Sequence, residues 1–346
     1  MRYLRIGILF AIIALIGYTG YVGYEGSSQL LAVDDERGYK TYCFTPEMYA
    51  GWDYEAVNYD RAADEDLPWV DASGARESKE VQDAYDVDCG DLRGTAGDEI
   101  VTPDGIHVAA WYIPAANPTE TTILVVHGNP ANKSDALRYA TFLHDDYNLL
   151  LPDLRNSSRS TGDLSTTGIH EYQEVEAILD WLVETKAPGH IGALGDSGGA
   201  AAILKAARND QRVQAIVSDS VHARLATEVG AEMGNASPPH PRYPGLWGIQ
   251  LAFWLRSGHG VDEADPMVSV ASLGDRPYLI LHGTNDRANV PADSAEALLA
   301  AATDAGVPAR LQYCEGGTHG QLTYDCADQY GGWVNDFFAT AFGGGD

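Results

Sequence analysis

The sequence predicts an α/β fold in which a doubly wound, mostly parallel sheet carries a helical cap insertion, with a transmembrane helix at the N-terminus. Three observations support this prediction. Short apolar runs rich in β-branched residues alternate with stretches of helical periodicity from about residue 120 onward. A segment of about fifty residues interrupts this alternation after one strand, and an uncharged apolar run opens the chain.

The N-terminal segment, residues 1–24, is interpreted as a signal anchor. Residues 6–22 are almost entirely apolar or glycine, and about 17–20 such residues suffice to cross a hydrocarbon core of roughly 30 Å. Arg2 and Arg5 precede the run and acidic residues follow it, which orients the short N-terminus to the cytoplasm and the remaining chain outward. A cleaved signal peptide is the alternative, and the protein would then be secreted.

Residues 25–95 form an acidic, membrane-proximal segment with scattered aromatic residues such as Trp52 and Tyr54. These aromatic residues argue against a plain linker. We therefore expect a partly ordered segment that packs on the main domain.

The four cysteines are Cys43, Cys89, Cys314 and Cys326, and four cysteines allow three pairings. The pairing of neighbours in the sequence, Cys43–Cys89 with Cys314–Cys326, fits an exported protein. Four reduced thiols in the core are the alternative.

Residues 96–346 are predicted to form the main domain. A Thr-Pro-Asp-Gly turn at residues 102–105 indicates a hairpin over residues 99–113. Beyond it, strands are expected at residues 121–126, 148–151, 190–194, 213–217, 278–281 and 310–313, and helices at residues 169–184, 200–207 and 292–305. This alternation predicts the parallel, doubly wound sheet.

The long interruption lies at about residues 222–271. It contains an amphipathic, aromatic-rich stretch at residues 246–255. Insertions of this size are usually functional, so we interpret it as a cap over a site, with a purely structural excursion as the alternative.

The tract Gly-Asp-Ser-Gly-Gly at residues 195–199 fits the G-x-S-x-G pattern of a nucleophile elbow. A predicted strand precedes it and a predicted helix follows, so Ser197 is expected at the tip of a strand–turn–helix. Chymotrypsin-like proteases carry the same five letters, but they are all-β proteins with His and Asp upstream of Ser. Ser197 is therefore a candidate nucleophile, and the Gly198 N–H near the helix N-terminus is a candidate oxyanion donor.

Two downstream loops supply candidate partners in the order Ser…Asp…His. Asp286 and His319 each follow a predicted strand, so both are expected at the sheet edge that also carries Ser197. His319 is predicted to act as general base and then acid, and Asp286 to orient its imidazole and stabilise the charged form. Each residue alone also suits an ordinary turn; the ordered trio favours catalysis.

The second oxyanion donor is expected in the loop after residues 121–126. His127-Gly-Asn-Pro follows that strand, and the backbone N–H of Asn129 is the predicted donor. His127 and His282 are interpreted as supports of their loops. The ten histidines lack metal-ligand spacing and no Gly-rich phosphate loop follows a strand, so we predict no metal site and no cofactor.

With these motifs, the chain resembles the α/β-hydrolase superfamily, in particular its membrane-anchored α/β-hydrolase-domain proteins and their serine-aminopeptidase-like relatives. Five tracts carry the resemblance: HGNPANKSDALR (127–138), LLLPDLRNSSRSTGD (149–163), GDSGG (195–199), ADPMVSVASLGDRPYLILHGTNDRANVP (264–291) and GGTHG (316–320). It covers about residues 99–342 and implies that Ser197, Asp286 and His319 are a catalytic triad.

Two departures from the family pattern are present. The tract at residues 153–159 lacks the usual Gly-rich turn, and Asp196 precedes the nucleophile. Asp196 is expected either to raise the pKa of the histidine or to reach solvent.

The chain carries 50 Asp and Glu against 22 Lys and Arg in 346 residues, a net charge of −28. This balance argues against nucleic-acid binding through basic patches. The acid is dispersed, and the lysines are few: Lys40, Lys79, Lys133, Lys186 and Lys205. Dispersed acid with few lysines is typical of proteins of extreme halophiles, where the screening length falls to about 3 Å at 1 M salt. We expect a halophilic archaeon as the source, with an ordinary acidic protein as the alternative.

Together these features predict a serine hydrolase that cleaves a carboxylic ester, thioester or amide of a small acyl substrate through an acyl-enzyme. The apolar cap and the anchor favour a lipid-like or short acyl ester. A serine peptidase of the aminopeptidase or prolyl-oligopeptidase-like type is one alternative, and a non-catalytic surface binding protein with this fold is another. The sequence leaves the substrate and the oligomeric state open.

Overall fold

The computed structural model describes residues 2–31, 44–64, 92, 94–235, 242–289 and 293–343. These residues form an eight-stranded sheet: β1 (Glu55–Val57), β2 (Ala110–Ile113), β3 (Thr121–Val126), β4 (Asn148–Pro152), β5 (His190–Asp196), β6 (Ala215–Asp219), β7 (Tyr278–Gly283) and β8 (Ala309–Cys314). The spatial order is β1-β2-β4-β3-β5-β6-β7-β8. β3 to β8 are parallel, whereas β2 pairs antiparallel with both β1 and β4. The predicted doubly wound, mostly parallel sheet is confirmed.

The helices connect these strands. They are α1 (Arg2–Leu31), α2 (Pro46–Ala50), α3 (Lys133–Ala140), α4 (Tyr172–Thr185), α5 (Ser197–Ala207), α6 (Leu225–Asn235), α7 (Arg242–Ser257), α8 (Pro266–Val270), α9 (Ala295–Ala305), α10 (Leu322–Asp325) and α11 (Ala327–Phe342), with 3-10 turns at Arg61–Asp64 and Val261–Glu263. One apolar cluster joins α4, α5 and α9 to one face of the sheet, and a second joins α2, α3 and α11 to the other. Because both faces are covered, the central strands are buried along their whole length.

The six parallel strands lie within two residues of their predicted bounds. The hairpin expected at residues 99–113 is reduced to a single bridge between Val101 and His107, and β2 pairs with β4 instead. The Asn58 side-chain amide donates to the carbonyl oxygens of Ile100 (3.1 Å) and Val108 (2.7 Å), and so joins this short turn to the acidic segment.

The acidic segment packs on the main domain as expected, and it also adds a strand to the sheet. Its β1 extends the sheet by one edge strand, and Phe44 and Tyr49 are buried in the second apolar cluster. Residues 65–91, Cys43 and Cys89 lie outside the described residues, and so does the predicted Cys43–Cys89 bond. The division of the chain at residues 24 and 95 stays a prediction.

The predicted cap insertion folds as α6, α7 and α8 between β6 and β7. The apolar helix α1 continues past its predicted end to Leu31, and Ile8–Leu31 is long and apolar enough to cross a membrane. Its second half packs against the cap in a third apolar cluster. A Cβ on Gly248 of α7 would lie 2.2 Å from the Thr19 carbonyl oxygen, and one on Gly23 would lie 2.5 Å from the Gly248 carbonyl oxygen. Glycine at both positions therefore permits backbone-to-backbone contact between the two helices.

Candidate active site

Ser197 lies at the turn between β5 and α5, as predicted. Its φ is +46°, a left-handed conformation that is rare for a residue with a side chain and that recurs at functional sites. Two flanking glycines make the turn possible, since a Cβ on Gly195 would lie 2.5 Å from the Ala200 nitrogen and one on Gly199 would lie 2.3 Å from the His127 carbonyl oxygen. The local sequence thus forces the Ser197 side chain to the tip of the elbow.

The structure brings Ser197, His319 and Asp286 together. His319 Nε2 lies 3.1 Å from Ser197 Oγ, and His319 Nδ1 lies 2.9 Å from Asp286 Oδ2. Asp286 follows β7 and His319 follows β8, so the parallel strands deliver both side chains to the edge that carries Ser197. The result is a continuous hydrogen-bonded chain from carboxylate to imidazole to hydroxyl.

Asp286 is held by its own loop. The backbone N–H groups of Ala288 and Asn289 donate to Asp286 Oδ1 at 3.0 and 2.8 Å, which leaves Oδ2 for His319. His282 donates from Nε2 to the Asn289 carbonyl oxygen at 2.7 Å, and burial lowers its pKa. His282 therefore supports the loop, as the sequence predicts.

The candidate oxyanion donors lie beside each other. A Cβ on Gly198 would lie 3.7 Å from the Asn129 Cβ, which places the loop after β3 against the first turn of α5. The Gly198 N–H belongs to that first turn, where backbone donors lack partners within the helix. Behind the loop, His127 Nδ1 donates to the Gly128 carbonyl oxygen (2.7 Å) and Nε2 accepts the Leu154 N–H (3.0 Å). Burial lowers the pKa of His127, so the ring is neutral and structural.

Asp196 does not reach solvent. Its side chain is buried, and Arg138 donates to Oδ2 at 3.1 Å. Its parallel neighbour in β6 is a second buried carboxyl, Asp219, which accepts hydrogen bonds from Ser220 Oγ (2.8 Å) and Tyr330 OH (3.0 Å). Burial raises the pKa of Asp196, although Arg138 opposes the shift. Burial and the charge of Asp196 raise the pKa of Asp219 to about 7.

A further carboxylate reaches the site from the cap. Glu228 of α6 is buried, and its Oε2 lies 3.1 Å from Nδ1 of the buried His222. Burial alone would raise the pKa of Glu228, but His222 and His319 lower it, so this side chain is an anion. Sequence analysis missed Glu228 and Arg138. Glu228 lies outside the five tracts that carry the resemblance, and Arg138 ends the tract at residues 127–138, where no local pattern marks it as part of a site.

These charges decide the titration of His319. Burial alone would lower its pKa, but the hydrogen bond and charge of Asp286, together with the charges of Glu228 and Asp196, raise it to about 10. Of the two roles open to Asp196, the structure therefore favours an effect on the histidine. Among the residues described, no group of His, Cys, Asp or Glu is placed to hold a metal ion.

The loop that carries His319 is closed by a disulfide bond between Cys314 and Cys326, which confirms that part of the predicted pairing. The bond joins the end of β8 to the start of α11. Within the loop, Thr318 donates from its N–H and its hydroxyl to Asp325 at 2.8 and 2.9 Å. The imidazole of His319 therefore lies on a short loop that is held by the disulfide bond and by the hydrogen bonds to Asp325.

Replacing both cysteines, Cys314→Ser with Cys326→Ser, is expected to lower the free energy of unfolding by about 2–4 kcal/mol, because the unfolded chain regains the freedom of the closed loop. Activity toward a soluble ester should fall in parallel, since His319 loses its fixed position. Denaturant unfolding and ester hydrolysis measure the two effects. A variant as stable and as active as the wild type would show that Thr318 and Asp325 alone hold the loop.

Comparison with known proteins identifies the fold. A family model described as the alpha/beta hydrolase fold matches residues 121–247. The chain has the α/β-hydrolase fold. It is similar to the solved structure of an esterase from Pyrococcus furiosus, with a TM-score of 0.57 and 19% identity over 70% of this chain and 89% of that one.

Two larger hydrolases share the same α/β-hydrolase fold. The acylaminoacyl peptidase of Pyrococcus horikoshii has a TM-score of 0.51 at 17% identity, over 67% of this chain but 39% of the peptidase. A puromycin hydrolase has a TM-score of 0.55 at 16% identity, over 70% of this chain and 38% of the hydrolase. At these identities the similarity establishes the fold. No curated protein sequence is significantly similar to the chain.

Proposed function

We propose that the chain is a serine hydrolase that cleaves a carboxylic ester, thioester or amide through an acyl-enzyme on Ser197. The observation that carries this proposal is the hydrogen-bonded chain from Asp286 through His319 to Ser197, at 2.9 and 3.1 Å, beside two backbone N–H groups. The ester is the preferred substrate class, because an apolar N-terminal helix packs on the cap and its end contacts the candidate oxyanion loop.

In the proposed reaction, Ser197 Oγ attacks the carbonyl carbon of the substrate while His319 Nε2 accepts the hydroxyl proton. The carbonyl oxygen becomes an oxyanion, which the N–H groups of Asn129 and Gly198 stabilise. Collapse of this intermediate breaks the bond to the leaving alcohol, thiol or amine, which takes the proton from His319. Water then attacks the acyl-enzyme by the same steps, releasing the acid and restoring Ser197.

A fluorophosphonate probe tests this proposal directly. The wild-type protein should be labelled at Ser197, identified by peptide mass spectrometry, and Ser197→Ala should not be labelled. An unlabelled wild type, assayed in both dilute buffer and molar salt, would point to the alternative of a non-catalytic surface binding protein.

A serine peptidase is the second candidate, and the acylaminoacyl peptidase fold similarity favours it. A panel of p-nitrophenyl esters of graded chain length beside aminoacyl-nitroanilides separates the two. Faster turnover of the anilides would replace the esterase proposal by the peptidase one.

Glu228→Gln is expected to move the pH profile of ester hydrolysis to lower pH by about one unit, the usual scale of one nearby charge. Only the neutral imidazole accepts a proton from Ser197, so kcat/KM rises with pH through the pKa of His319. Because the charge of Glu228 raises that pKa, its removal lowers it. Profiles of kcat/KM against pH measure the shift.

Glu263→Gln is the matched control, because Glu263 also lies in the cap beside a histidine, His259 (2.8 Å), but not beside the triad. Its profile should overlay that of the wild type. A Glu228→Gln profile that stays in place or moves to higher pH would contradict the role given to Glu228.

We further propose that α1 is retained as a single-pass anchor with the hydrolase domain outside the cell, rather than cleaved as a signal. The supporting observation is the glycine-mediated packing of α1 on α7, since a cleaved signal need not fit the mature protein.

The charge of −28 with few lysines supports a halophilic source. Activity that is highest in dilute buffer would contradict the halophilic proposal.

A further inference from the structure

The second half of α1 connects the uncharged run to the active site. Arg5 and Glu25 are the charged residues that bound this run. The 19 residues between them would extend about 28 Å at 1.5 Å per residue, close to the roughly 30 Å of a hydrocarbon core. If α1 spans a bilayer, Glu25 therefore marks the outer edge of the apolar layer.

The end of α1 reaches the candidate oxyanion loop only five residues beyond Glu25, at Leu30. The Leu30 carbonyl oxygen accepts hydrogen bonds from the Asn129 side-chain amide (3.3 Å) and from Thr167 Oγ1 (3.2 Å). Five helical residues extend about 8 Å. The elbow therefore lies close to the level at which the apolar layer would end.

The cap helix α7 lies beside the uncharged run itself. Gly248 packs on Thr19 and Gly23, and both of these residues precede Glu25. Further along α7, Arg256 donates to Ser27 Oγ (2.9 Å) and Ser28 Oγ (2.7 Å), beyond Glu25. The two helices run in the same direction, so the first half of α7 is at the depth of the apolar layer and its arginine is on the water side.

The outward face of α7 is apolar. No charged residue occurs at positions 243–255, and five large side chains at helical spacing are more than half exposed: Tyr243, Trp247, Leu251, Trp254 and Leu255. Tryptophan and tyrosine are the residues that favour the membrane–water interface. The first half of α1, which precedes its contact with α7, is also apolar and exposed, and Ile8, Leu9 and Phe10 are each more than half exposed.

We propose that the outward face of α7 is embedded in the outer leaflet beside α1, so that the site opens at the bilayer surface and Ser197 takes its acyl ester from a membrane-resident amphiphile. The substrate half of this proposal rests on the proposed hydrolase function. The docking of α7 on the membrane does not depend on that function. It rests on the packing of α7 on α1 and on the exposed apolar side chains of both helices.

Brominated lipids test the docking of α7. The full-length protein is reconstituted into phosphatidylcholine vesicles, with bromine placed near the ester end of the acyl chains, and tryptophan fluorescence is measured. Quenching is expected in the wild type and should be largely lost in the double variant Trp247→Phe with Trp254→Phe. The matched double variant Trp52→Phe with Trp333→Phe should keep the quenching, because both residues pack on the second apolar cluster and not on the cluster of α1 and the cap.

Equal quenching in the wild type and in the Trp247/Trp254 variant would overturn the docking proposal. If a second copy of the chain covers this face instead, brominated lipid should leave these two tryptophans unquenched. Their fluorescence would then vary with the protein-to-lipid ratio, and this result would also overturn the proposal.

Turnover tests the substrate half. For Trp247→Ser with Leu251→Ser, hydrolysis of a lipid ester in vesicles, divided by hydrolysis of p-nitrophenyl acetate by the same variant, should fall about tenfold because the apolar contact with the leaflet is lost. Val183→Ser, which removes an exposed apolar side chain of α4, should keep the wild-type ratio. An unchanged ratio in the cap variant overturns the membrane substrate. A wild type that turns over neither ester shows instead that the proposed hydrolase function has failed.

Discussion

Ser197→Ala is expected to lower kcat/KM for an activated ester by up to about 10⁶-fold, the loss measured when a serine hydrolase loses its nucleophile. The physical reason is that Ser197 Oγ forms the ester bond of the acyl-enzyme, and it is the hydroxyl that lies 3.1 Å from His319 Nε2, the base that deprotonates it. Hydrolysis of p-nitrophenyl acetate at an alkaline pH measures this loss, because His319 must be neutral to act as the base.

The three residues should act as one unit. His319→Ala is expected to cost about as much as Ser197→Ala, and the double variant little more than either single one. Asp286→Asn should cost about 10⁴-fold, because the amide no longer orients the imidazole or stabilises its charged form. Additive losses in the double variant would indicate that Ser197 and His319 serve separate steps, which would contradict the proposed mechanism.

The sequence predicted the part of this molecule that local patterns determine. The central strands are buried on both faces, and the elbow needs glycine two positions before and two positions after Ser197, because a Cβ on Gly195 or Gly199 would meet backbone atoms. Asp286 and His319 were predictable because parallel strands end at one edge of the sheet. Each of these inferences needs only a few neighbouring residues and the topology.

The sequence did not predict the interactions that join distant segments. Arg138 from α3 contacts Asp196 at the end of β5, and Asp196 lies beside Asp219 of β6, so this buried network joins residues up to about eighty positions apart. The edge strand β1 has only three residues, too few for a visible alternation. The composition of an apolar helix such as α1 does not show whether lipid or protein covers it. The packing of α1 on the cap could therefore not be predicted from the sequence.

Arg138→Met is expected to lower the free energy of unfolding by about 3–5 kcal/mol, the cost of leaving a buried charge without its partner. Arg138 is buried and donates to Asp196 (3.1 Å), Asp135 (3.0 Å) and the carbonyl oxygen of Gly320, next to His319. Methionine fills much of the same space but offers no charge and no donor. Two neighbouring carboxyls, Asp196 and Asp219, would then share the interior without a cation.

The sign of the pH dependence follows from the raised pKa of Asp219, about 7 against 3.8 for the ordinary carboxyl. Between these values the folded state holds more protons than the unfolded state, so stability falls as the pH rises. Removing Arg138 makes ionisation of the carboxyl pair still less favourable. The loss of stability in Arg138→Met should therefore be smaller at about pH 5 than at about pH 9. The carboxyls of the unfolded chain are ionised at both pH values, so the difference arises in the folded state.

Two further variants separate the charge of the network from simple loss of a buried arginine. Arg276→Met removes another buried guanidinium, but one that donates to backbone carbonyl oxygens, among them those of Ala207 (2.6 Å) and Leu273 (2.9 Å), so its cost should vary less with pH. Asp196→Asn in the Arg138→Met background removes the carboxylate that was left unpaired and should recover part of the lost stability. Denaturant unfolding at both pH values measures these differences. If the double variant is no more stable than Arg138→Met, the hydrogen bond to Gly320 rather than the charge of Asp196 is what Arg138 contributes.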